Sequence, residues 1–347
     1  MNQEPIDVFG IGNALLDVEY RVSEEFLTKH RIEKRHMTLV DKDHMLRLTH
    51  ALDGHVIASN CGGSVANTMY AMRGFGCRTY LTCRVAPDDA GHHFVSQLEQ
   101  AGIGTNTILP TDDGVTGRCL VLITSDAERT MNTCLGVSDQ LLPTQVDGDA
   151  LARSRSIFIE GYLASSDTGY IAARRARELA DERDLETNLT LADTSIVKMF
   201  RPQLEAIIGN GLTRVFANIE EAFEWCGTDR LDIALTQLRD IAQEAVITLG
   251  PGGCSINTGK SRTHVDAFPV TPTDLNGAGD MFAAAYLSAI PDSDTESAAR
   301  FANFAASRVI QCTGARLESI AAYNAIKQLY LTNPKKEQTG QARASSA

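Results

Sequence analysis

Short apolar runs alternate with longer mixed segments along most of the chain. In the second half, continuous apolar runs predict strands at 156–162, 189–193, 214–219 and 245–250. Segments of helical length separate or follow them, at 168–184, 199–209, 229–242 and 296–312. Strands that are apolar throughout and alternate with helices are typical of a parallel sheet that helices cover on both faces. The pattern therefore predicts an α/β fold with a parallel-rich central sheet.

Two segments of the first half have a different pattern. Short β-type runs at 18–22 and 37–40 flank a charged stretch. The runs 116–124 and 129–134 enclose a hairpin-type loop. These segments predict a small antiparallel β-sheet beside a cleft, which can close over it as a lid. We expect a large domain of residues 1–13, 51–110 and 136–332, a lid of residues 14–50 and 111–135, and a polar, mobile tail at 333–347.

Composition narrows the expected partners and compartment. The 347 residues carry a net charge of −12 and no long basic run, which argues against nucleic-acid binding. No apolar run reaches the ~18 residues that span a bilayer, and the N-terminal residues lack the regions of a signal peptide. The eight cysteines are scattered without a Cys-x-x-Cys pair, which indicates reduced thiols. We expect a cytoplasmic protein with no membrane partner.

The stretch 271–291 carries the most specific chemistry. A turn of small residues, Gly277-Ala278-Gly279, leads into an apolar helix that ends at Pro291. The first N–H groups of a helix lack internal partners, and small residues let an anion approach them. Asp280 would repel a phosphate that is merely held, but it could orient an attacking hydroxyl and take its proton in phosphoryl transfer. Taken alone, this motif fits better an Asp that stabilises the first turn of its own helix.

Further polar groups occur near the ends of predicted elements. Asn13 and Asp17 follow the first strand, where ligands gather in open α/β sheets, although an Asx turn and a solvated acid explain them as well. Gly63 allows close backbone approach at the start of a predicted helix that ends near residue 74. Ser64 and Asn67 share one face of that helix and suit neutral hydroxyl groups, while Ser64 alone also fits a helix cap.

Two more clusters follow predicted strands. Asn218 and Glu221 share one turn, where their oxygens suit a hydrated magnesium ion, and Glu221 also fits a simple first-turn acid. The segment from Thr248 through Gly250 to Gly253 is a glycine-rich bend that could accommodate a nucleotide, although glycines after a strand usually form a turn.

Together these motifs resemble those of the ribokinase (PfkB) family of carbohydrate and nucleoside kinases. Asp274-Leu-Asn-Gly-Ala-Gly-Asp280 resembles the family's Asp-Thr-x-Gly-Ala-Gly-Asp motif. Gly62-Gly-Ser-Val-Ala-Asn67 resembles Gly-Gly-x-x-x-Asn, and Asn218-x-x-Glu221 resembles Asn-x-x-Glu. Asp88-x-x-Gly91 and Cys312-Thr-Gly-Ala-Arg316 also fit. The resemblance covers the chain to about residue 330 and implies a ribokinase-like fold and ATP-dependent phosphoryl transfer.

The resemblance also implies a role for each motif residue. Asp280 is the base, and Gly277, Ala278 and Gly279 offer N–H groups to the transferring phosphoryl. Asn13, Asp17, Gly63, Ser64 and Asn67 bind the acceptor, Thr248, Gly250, Gly253 and Asn303 line the ATP site, and Asn218 and Glu221 organise Mg²⁺ through water. Arg129, on the hairpin, is similar to a lid arginine that reaches the phosphates, although a solvated hairpin charge explains it equally. Leu275 replaces the family's usual Thr near a monovalent-cation site, which weakens the expectation of activation by K⁺.

The acceptor is narrowed by Gly12-Asn-Ala-Leu-Leu-Asp17, which most resembles the adenosine kinase branch. A carboxylate such as Asp17 suits two vicinal ribose hydroxyls. We therefore expect transfer to the 5′-OH of a nucleoside, with adenosine as the best candidate. A ribose or fructose kinase and a non-catalytic sensor are the alternatives, and a monomer and a homodimer both remain open. Candidates for an apolar base slot, each equally explained by packing, are Leu15, Leu16, Cys119, Met131 and Tyr162. Because no Lys or Arg adjoins 13–17 or 62–67 in the sequence, phosphorylated sugars are disfavoured.

Overall fold

The computed structural model describes residues 4–34, 37–52, 56–107, 114–126 and 128–332. Its strands are β1 Ile6–Ile11, β2 Leu15–Arg21, β3 Met37–Leu39, β4 Val56–Gly62, β5 Thr79–Thr82, β6 Gly104–Thr105, β7 Thr116–Ile123, β8 Arg129–Gly136, β9 Ser154–Glu160, β10 Glu186–Thr190, β11 Leu212–Asn218, β12 Ala242–Thr248, β13 Cys254–Asn257 and β14 Arg262–Val265. Its α-helices are α1 Glu24–His30, α2 Lys42–Ala51, α3 Ser64–Gly74, α4 Asp89–Ala101, α5 Gly148–Ala152, α6 Gly169–Asp181, α7 Thr194–Met199, α8 Arg201–Ile208, α9 Ile219–Cys226, α10 Leu231–Gln237, α11 Ala278–Ala289, α12 Thr295–Val309 and α13 Ile320–Thr332. The predicted tail at 333–347 lies outside these residues.

The larger sheet contains nine strands within the described part of the chain, in the order β14-β13-β12-β11-β10-β9-β1-β5-β6. All pairings from β12 to β6 are parallel, and β13 and β14 extend one edge in antiparallel fashion. Side chains alternate between two apolar layers: Phe158 faces the layer that includes α3, α11 and α12, whereas Ile157 and Ile159 face the layer that includes α6 and α8. The predicted α/β fold with helices on both faces is confirmed.

The smaller sheet has the order β3-β8-β7-β2-β4. Strands β7–β8 and β2–β4 pair in antiparallel fashion, while β2–β7 and β3–β8 are parallel. Helices α1 and α2 cover one face of this sheet through a core of their own that includes Leu27, Leu48 and Leu120. Strand β4 falls in the range that the sequence assigned to the large domain, yet it is the edge strand of the smaller sheet.

The two-residue period of β2 divides its side chains between the two faces of the smaller sheet. Val18 and Tyr20 belong to the core beneath α1 and α2. Asp17 and Glu19 therefore lie on the opposite face, which we call the cleft face. It meets the large domain, because Arg129 at the start of β8 contacts both Glu19 and Asp274.

Predicted and observed boundaries differ by a few residues at several elements. The helix predicted at 199–209 is α8, which begins at Arg201 with Pro202 in its first turn, and the preceding helix α7, which ends at Met199, was not predicted. Proline favours the start of a helix and would break a helix interior. None of the described helices is long and apolar enough to cross a membrane. All eight cysteines are free thiols.

Candidate active site

Asp280 lies in the first turn of α11, whose following residues from Met281 to Leu287 are buried. Gly277 precedes this helix with a φ of 76°, a left-handed conformation that favours glycine. A Cβ atom at Gly277 would also lie 2.4 Å from the carbonyl oxygen of Ala315. The turn therefore requires glycine for its conformation and for its close approach to the 312–316 loop.

The start of α11 presents unused backbone donors. The N–H group of Ala278 donates to Leu275 O at 3.4 Å, and that of Met281 donates to Gly277 O at 2.9 Å. Among the described residues, the N–H groups of Gly279 and Asp280 have no hydrogen-bond acceptor. A helix start with free N–H groups and partial positive charge suits an anion such as a phosphoryl group.

The Asp280 carboxylate is held by two donors from α3. Ser64 Oγ donates to Oδ1 at 2.6 Å, and Asn67 Nδ2 donates to Oδ2 at 2.8 Å. Ser64 makes no helix-capping hydrogen bond, so its hydroxyl serves Asp280 instead of its own helix. Ser64 and Asn67 were expected to hold acceptor hydroxyls, and in the structure both side chains donate to the Asp280 carboxylate and fix its orientation.

Opposing effects act on the pKa of Asp280. Burial raises the pKa, while the hydrogen bonds from Ser64 and Asn67 and the positive charge of Arg316 lower it, and the net result lies above the ordinary value. A carboxylate with a raised pKa accepts a proton more readily than an exposed one.

Asp17 extends from the cleft face of β2 and packs over Gly62, where a Cβ atom would lie 2.3 Å from Asp17 Oδ2. Burial raises the pKa of Asp17 to about 7, with opposing contributions from Arg316, which lowers it, and Asp280, which raises it. The carboxylate therefore changes its charge near neutral pH.

Asn13 is fully enclosed beside Asp17. Its Nδ2 donates to Glu160 Oε1 at 3.1 Å, and Glu160 also accepts from the Val65 N–H at 3.0 Å. The Asn13 Oδ1 atom is buried and has no hydrogen-bond partner among the described residues. Such an acceptor is costly to leave unpaired, so it is a suitable partner for a ligand hydroxyl.

The register of the smaller sheet shows which candidates for the apolar base slot lie on the cleft face. Cys119 lies opposite Asp17, and Met131 lies opposite Val121. Residues directly opposite each other share a face, so Cys119 and Met131 lie on the cleft face, as does Leu15. Leu16 points the other way and packs against the core of the smaller sheet. Tyr162 packs against the core layer that includes α6 and α8, and nearby carboxylates including Asp280 raise its pKa further than burial alone.

Arg129 bridges the two parts of the molecule. Its Nη2 lies 2.5 Å from Asp274 Oδ2, and its Nη1 lies 3.3 Å from Glu19 Oε1. Asp274 also accepts the N–H groups of Asn276 at 3.0 Å and Gly314 at 2.6 Å. With 14% of its side chain exposed, Arg129 is not a solvated hairpin charge, and it contacts Asp274 in the loop that precedes α11.

The predicted nucleotide residues gather at the β12–β13 end of the large sheet. Thr248 ends β12, and Gly250 and Gly253 adopt φ values of 56° and 81° in the turn that follows. Asn303, on α12, donates through Nδ2 to Val265 O at 2.9 Å and to Asp266 O at 3.1 Å. These four residues are brought together, with Asn303 tying α12 to the end of β14.

Asn218 and Glu221 form a reciprocal helix cap. Glu221 N–H donates to Asn218 Oδ1 at 2.8 Å, and the Asn218 N–H and Nδ2 donate to the Glu221 carboxylate at 3.0 and 2.6 Å. Burial raises the pKa of Glu221 to about 7. The part of the chain that the structure describes contains no group of three or more side chains placed to hold a metal. The donor set therefore fits magnesium only through bound water.

Arg316 is the site residue that sequence reasoning missed. Its Nε donates to Asn67 Oδ1 at 2.6 Å, so a cation adjoins the 62–67 segment although none is close in the sequence. Because this cation lies beside the segment, phosphorylated acceptors are no longer disfavoured. The only available signal was the position of Arg316 at the end of the Cys312–Arg316 motif.

Comparison with known proteins identifies the family and the fold. Residues 38–321 match the model of the pfkB family of carbohydrate kinases. The crystal structure of adenosine kinase from Sinorhizobium meliloti has a TM-score of 0.87 and 32% identity, over 94% of this chain and 99% of that chain. A probable sugar kinase from Rhizobium etli CFN 42 has a TM-score of 0.87 and 29% identity, over 95% and 100% of the two chains. The adenosine kinase of Saccharomyces cerevisiae is 25% identical over 305 residues, or 81% of this chain and 87% of that protein.

A ribokinase-like fold with a carboxylate beside an anion site defines a class of phosphotransferases that act on alcohol groups. This chain belongs to that class and, more specifically, to the pfkB family of carbohydrate and nucleoside kinases, which implies the use of ATP.

Proposed function

We propose that this protein transfers the γ-phosphoryl group of ATP to the 5′-OH of a nucleoside, with adenosine as the best candidate and AMP as its product. The observation that carries the proposal is the placement of Asp280. Its carboxylate is oriented by Ser64 and Asn67 beside the free N–H groups at the start of α11. A base and an anion site within one helical turn are what phosphoryl transfer to a hydroxyl requires.

Acceptor binding is assigned to the groups around Asp17. The Asp17 carboxylate accepts hydrogen bonds from two vicinal ribose hydroxyls, and the unpaired Asn13 Oδ1 accepts another hydroxyl. Gly63, with a φ of 99°, lets the start of α3 approach Asn13, since a Cβ atom there would lie 2.2 Å from Asn13 O. This arrangement directs the primary hydroxyl toward Asp280.

In the transfer step, Asp280 takes the proton of the attacking hydroxyl. The proton can leave late in a loose transition state, so a carboxylate is a sufficient base. The free N–H groups of Gly279 and Asp280, in the turn that Gly277 makes possible, stabilise charge on the moving phosphoryl oxygens. The N–H group of Ala278 can join them, because its hydrogen bond to Leu275 O is long, at 3.4 Å. Arg129 holds the lid against the Asp274 loop, which excludes water and limits hydrolysis of ATP.

ATP binds along the β12–β13 edge, against Thr248, Gly250, Gly253 and Asn303. Asn218 and Glu221 would hold a magnesium ion through bound water, and the ion would neutralise negative charge on the phosphates.

The apolar cleft face of the lid favours a nucleoside over a free sugar. Leu15, Cys119 and Met131 share that face with Asp17, and a planar base needs such a surface whereas a free pentose does not. A ribose or fructose kinase is the second candidate, and the similarity to the probable sugar kinase from Rhizobium etli favours it. A non-catalytic sensor is the third, although a sensor needs no base at the position of Asp280.

A substrate panel separates these candidates. Purified protein with ATP and MgCl₂ is offered adenosine, inosine, guanosine, ribose and fructose in turn, and ADP release is followed. We expect fast turnover with adenosine and at most slow turnover with the free sugars. Fast turnover of a free sugar alone would replace the nucleoside assignment, and no turnover with any acceptor, despite ATP binding, would favour the sensor.

A further inference from the structure

Arg316 connects the catalytic carboxylate to the loop that follows α12. Its Nε donates to Asn67 Oδ1, and its guanidinium carbon lies 5.1 Å from the centre of the Tyr70 ring. Asn67 and Tyr70 lie one turn apart on α3, so the guanidinium is fixed by two side chains of one helix.

This contact decides the orientation of the Asn67 amide. The amide has an oxygen that only accepts hydrogen bonds and a nitrogen that only donates them. With the oxygen on Arg316, the nitrogen faces Asp280 and donates to its Oδ2. The reversed amide would place its oxygen against the carboxylate and its nitrogen against the guanidinium, leaving both contacts repulsive.

The charge of Arg316 is not neutralised by direct contact. Its Nη1 and Nη2 atoms are buried without a hydrogen-bond partner, and within the described ranges Arg316 forms no ion pair. Its positive charge therefore acts on the carboxylates across the cleft and lowers the pKa of both Asp280 and Asp17.

We propose that Arg316 is a positioning residue for phosphoryl transfer, which locks the Asn67 amide so that it holds the Asp280 carboxylate toward the attacking hydroxyl. The inference rests on the proposed role of Asp280 as the base. It assigns a role in phosphoryl transfer to Arg316, the last residue of the Cys312–Arg316 motif. The hydrogen bond between Arg316 and Asn67 joins residues 249 positions apart in the chain.

The pH dependence follows from the groups that face Asp280. Removing Arg316 removes the positive charge that favours ionised Asp280, so the pKa of the base rises and the acid limb of the rate profile moves to higher pH. The other side chains that face Asp280 from the surrounding elements are Ser64, Asn67, Asp17, Glu160, Tyr162 and Tyr323.

Two variants separate the effect of the Arg316 charge from that of its hydrogen-bond geometry. Each rate is measured with the most active acceptor of the substrate panel. We expect Arg316→Met to lower kcat about 100-fold and to move the acid limb up by about one pH unit. Arg316→Lys keeps the charge but loses the planar fork, so it should leave the limb in place while kcat falls about tenfold. The control is Arg230→Met, which removes an exposed arginine paired with Asp232 and should change neither quantity.

A double-mutant cycle tests the route through Asn67. We measure kcat on the high-pH plateau, where Asp280 is ionised in every variant. In the Asn67→Ala background, Arg316→Met should lower kcat by less than about threefold. Full additivity of the two substitutions would overturn the positioning role. Thermal unfolding identifies a variant that fails to fold, in which case the comparison between Arg316→Lys and wild type still decides.

Failure of the inference is distinguishable from failure of the proposed function. A wild-type protein that phosphorylates no acceptor removes the basis of both. A wild-type protein that turns over, together with an Arg316→Met variant of unchanged kcat and unchanged acid limb, overturns the role of Arg316 alone.

Discussion

The proposed acceptor side and the proposed nucleotide side of the cleft are built in different ways. On the acceptor side, Asp280 receives hydrogen bonds from residues 216 and 213 positions away, and each donor is a side chain. On the nucleotide side, Asn218 and Glu221 form hydrogen bonds with each other although they are only three positions apart. The Asn303 side chain donates to the backbone carbonyl groups of Val265 and Asp266.

This difference means that the acceptor side depends on a fixed side-chain geometry, whereas the nucleotide side depends mainly on the backbone. The base must be oriented before the reaction, and side chains from separate elements do this by fixing both carboxylate oxygens. The nucleotide side presents mainly glycine turns and backbone groups, which accept a phosphate chain without a dedicated side-chain network. We therefore expect substitutions on the acceptor side to have much larger effects than those on the nucleotide side.

The largest effect should come from Asp280→Asn, which removes the base but preserves the size of the side chain. We expect kcat to fall about 1,000-fold, since a general base contributes roughly 10²–10⁴-fold. Binding of adenosine, measured by calorimetry, should stay within a few-fold of wild type. Turnover equal to that of wild type would show that Asp280 is not the base.

A smaller loss should follow from Asp17→Asn, which tests the acceptor side away from the reacting atoms. Hydrogen bonds to a charged group contribute roughly 1.5–3 kcal/mol, so the acceptor KM should rise about 100-fold with a smaller change in kcat. Because the pKa of Asp17 is raised to about 7, the wild-type KM should also rise as the pH falls below 7. The Asn variant should lack this pH dependence, and a KM that varies with pH as in wild type would contradict the assignment.

The same substitution should stabilise the protein without ligand. A folded-state pKa raised above the ordinary value means that the native state keeps a proton that the unfolded state releases between about pH 4 and 7. Stability therefore falls as the pH rises through this window, and the full penalty remains at pH 8. We expect Asp17→Asn to raise the thermal midpoint by about 2 °C at pH 8 and to leave it unchanged at pH 4. A lower midpoint at pH 8 would contradict a buried, unpaired carboxylate.

The lid contact should have an intermediate effect. Arg129→Met leaves the buried Glu19 and Asp274 carboxylates without their shared cation, so we expect about a tenfold fall in kcat/KM and a lower thermal midpoint. Lys34→Met is the matched control, because Lys34 is a lid cation whose partners Glu24 and Asp126 are exposed. An exposed pair contributes about 0–1 kcal/mol, so the control should stay within about twofold of wild type. Equal losses of kcat/KM in the Arg129 and Lys34 variants would contradict a specific role for the contacts of Arg129 with Glu19 and Asp274.

The smallest effect should come from Glu221→Gln on the nucleotide side. Glutamine can keep the reciprocal cap with Asn218, so the midpoint should change little, while loss of the charge should raise the Mg²⁺ concentration for half-maximal rate about threefold. Glu220→Gln, an exposed acid of the same turn, is the control. An unchanged Mg²⁺ requirement in the Glu221 variant would leave Glu221 as a helix cap only.

Local patterns in the sequence predicted the elements that depend on local forces. The helix that begins at Ser64 and the apolar helix that carries Asp280 were both found, because a glycine turn precedes a clear apolar segment in each case. Helices α1 and α2 were missed, since their charged faces conceal the few residues, such as Leu27, that they bury. Strand β4 was not predicted, because most of its residues are exposed and do not alternate, and its range was placed in the large domain.

The candidate site shows the same limit. Asp280 was identified from its position at a helix start, which is a local property. Its donors Ser64 and Asn67 were named, but their contact with Asp280 depends on how α3 packs against α11. The pairing of Arg316 with Asn67 had no local signal at all, because nothing near either residue in the sequence indicates the other.

The long separations around Asp280 also govern the order in which the molecule can be assembled during synthesis. Ser64 and Asn67 leave the ribosome more than 200 positions before the carboxylate that they hold, and Arg316 follows later still. A nascent chain can therefore complete the lid and most strands of the large sheet while it has no base. With Asp280 as the proposed base, phosphoryl transfer becomes possible only once almost all of the chain has been made, and we expect shorter chains to lack it.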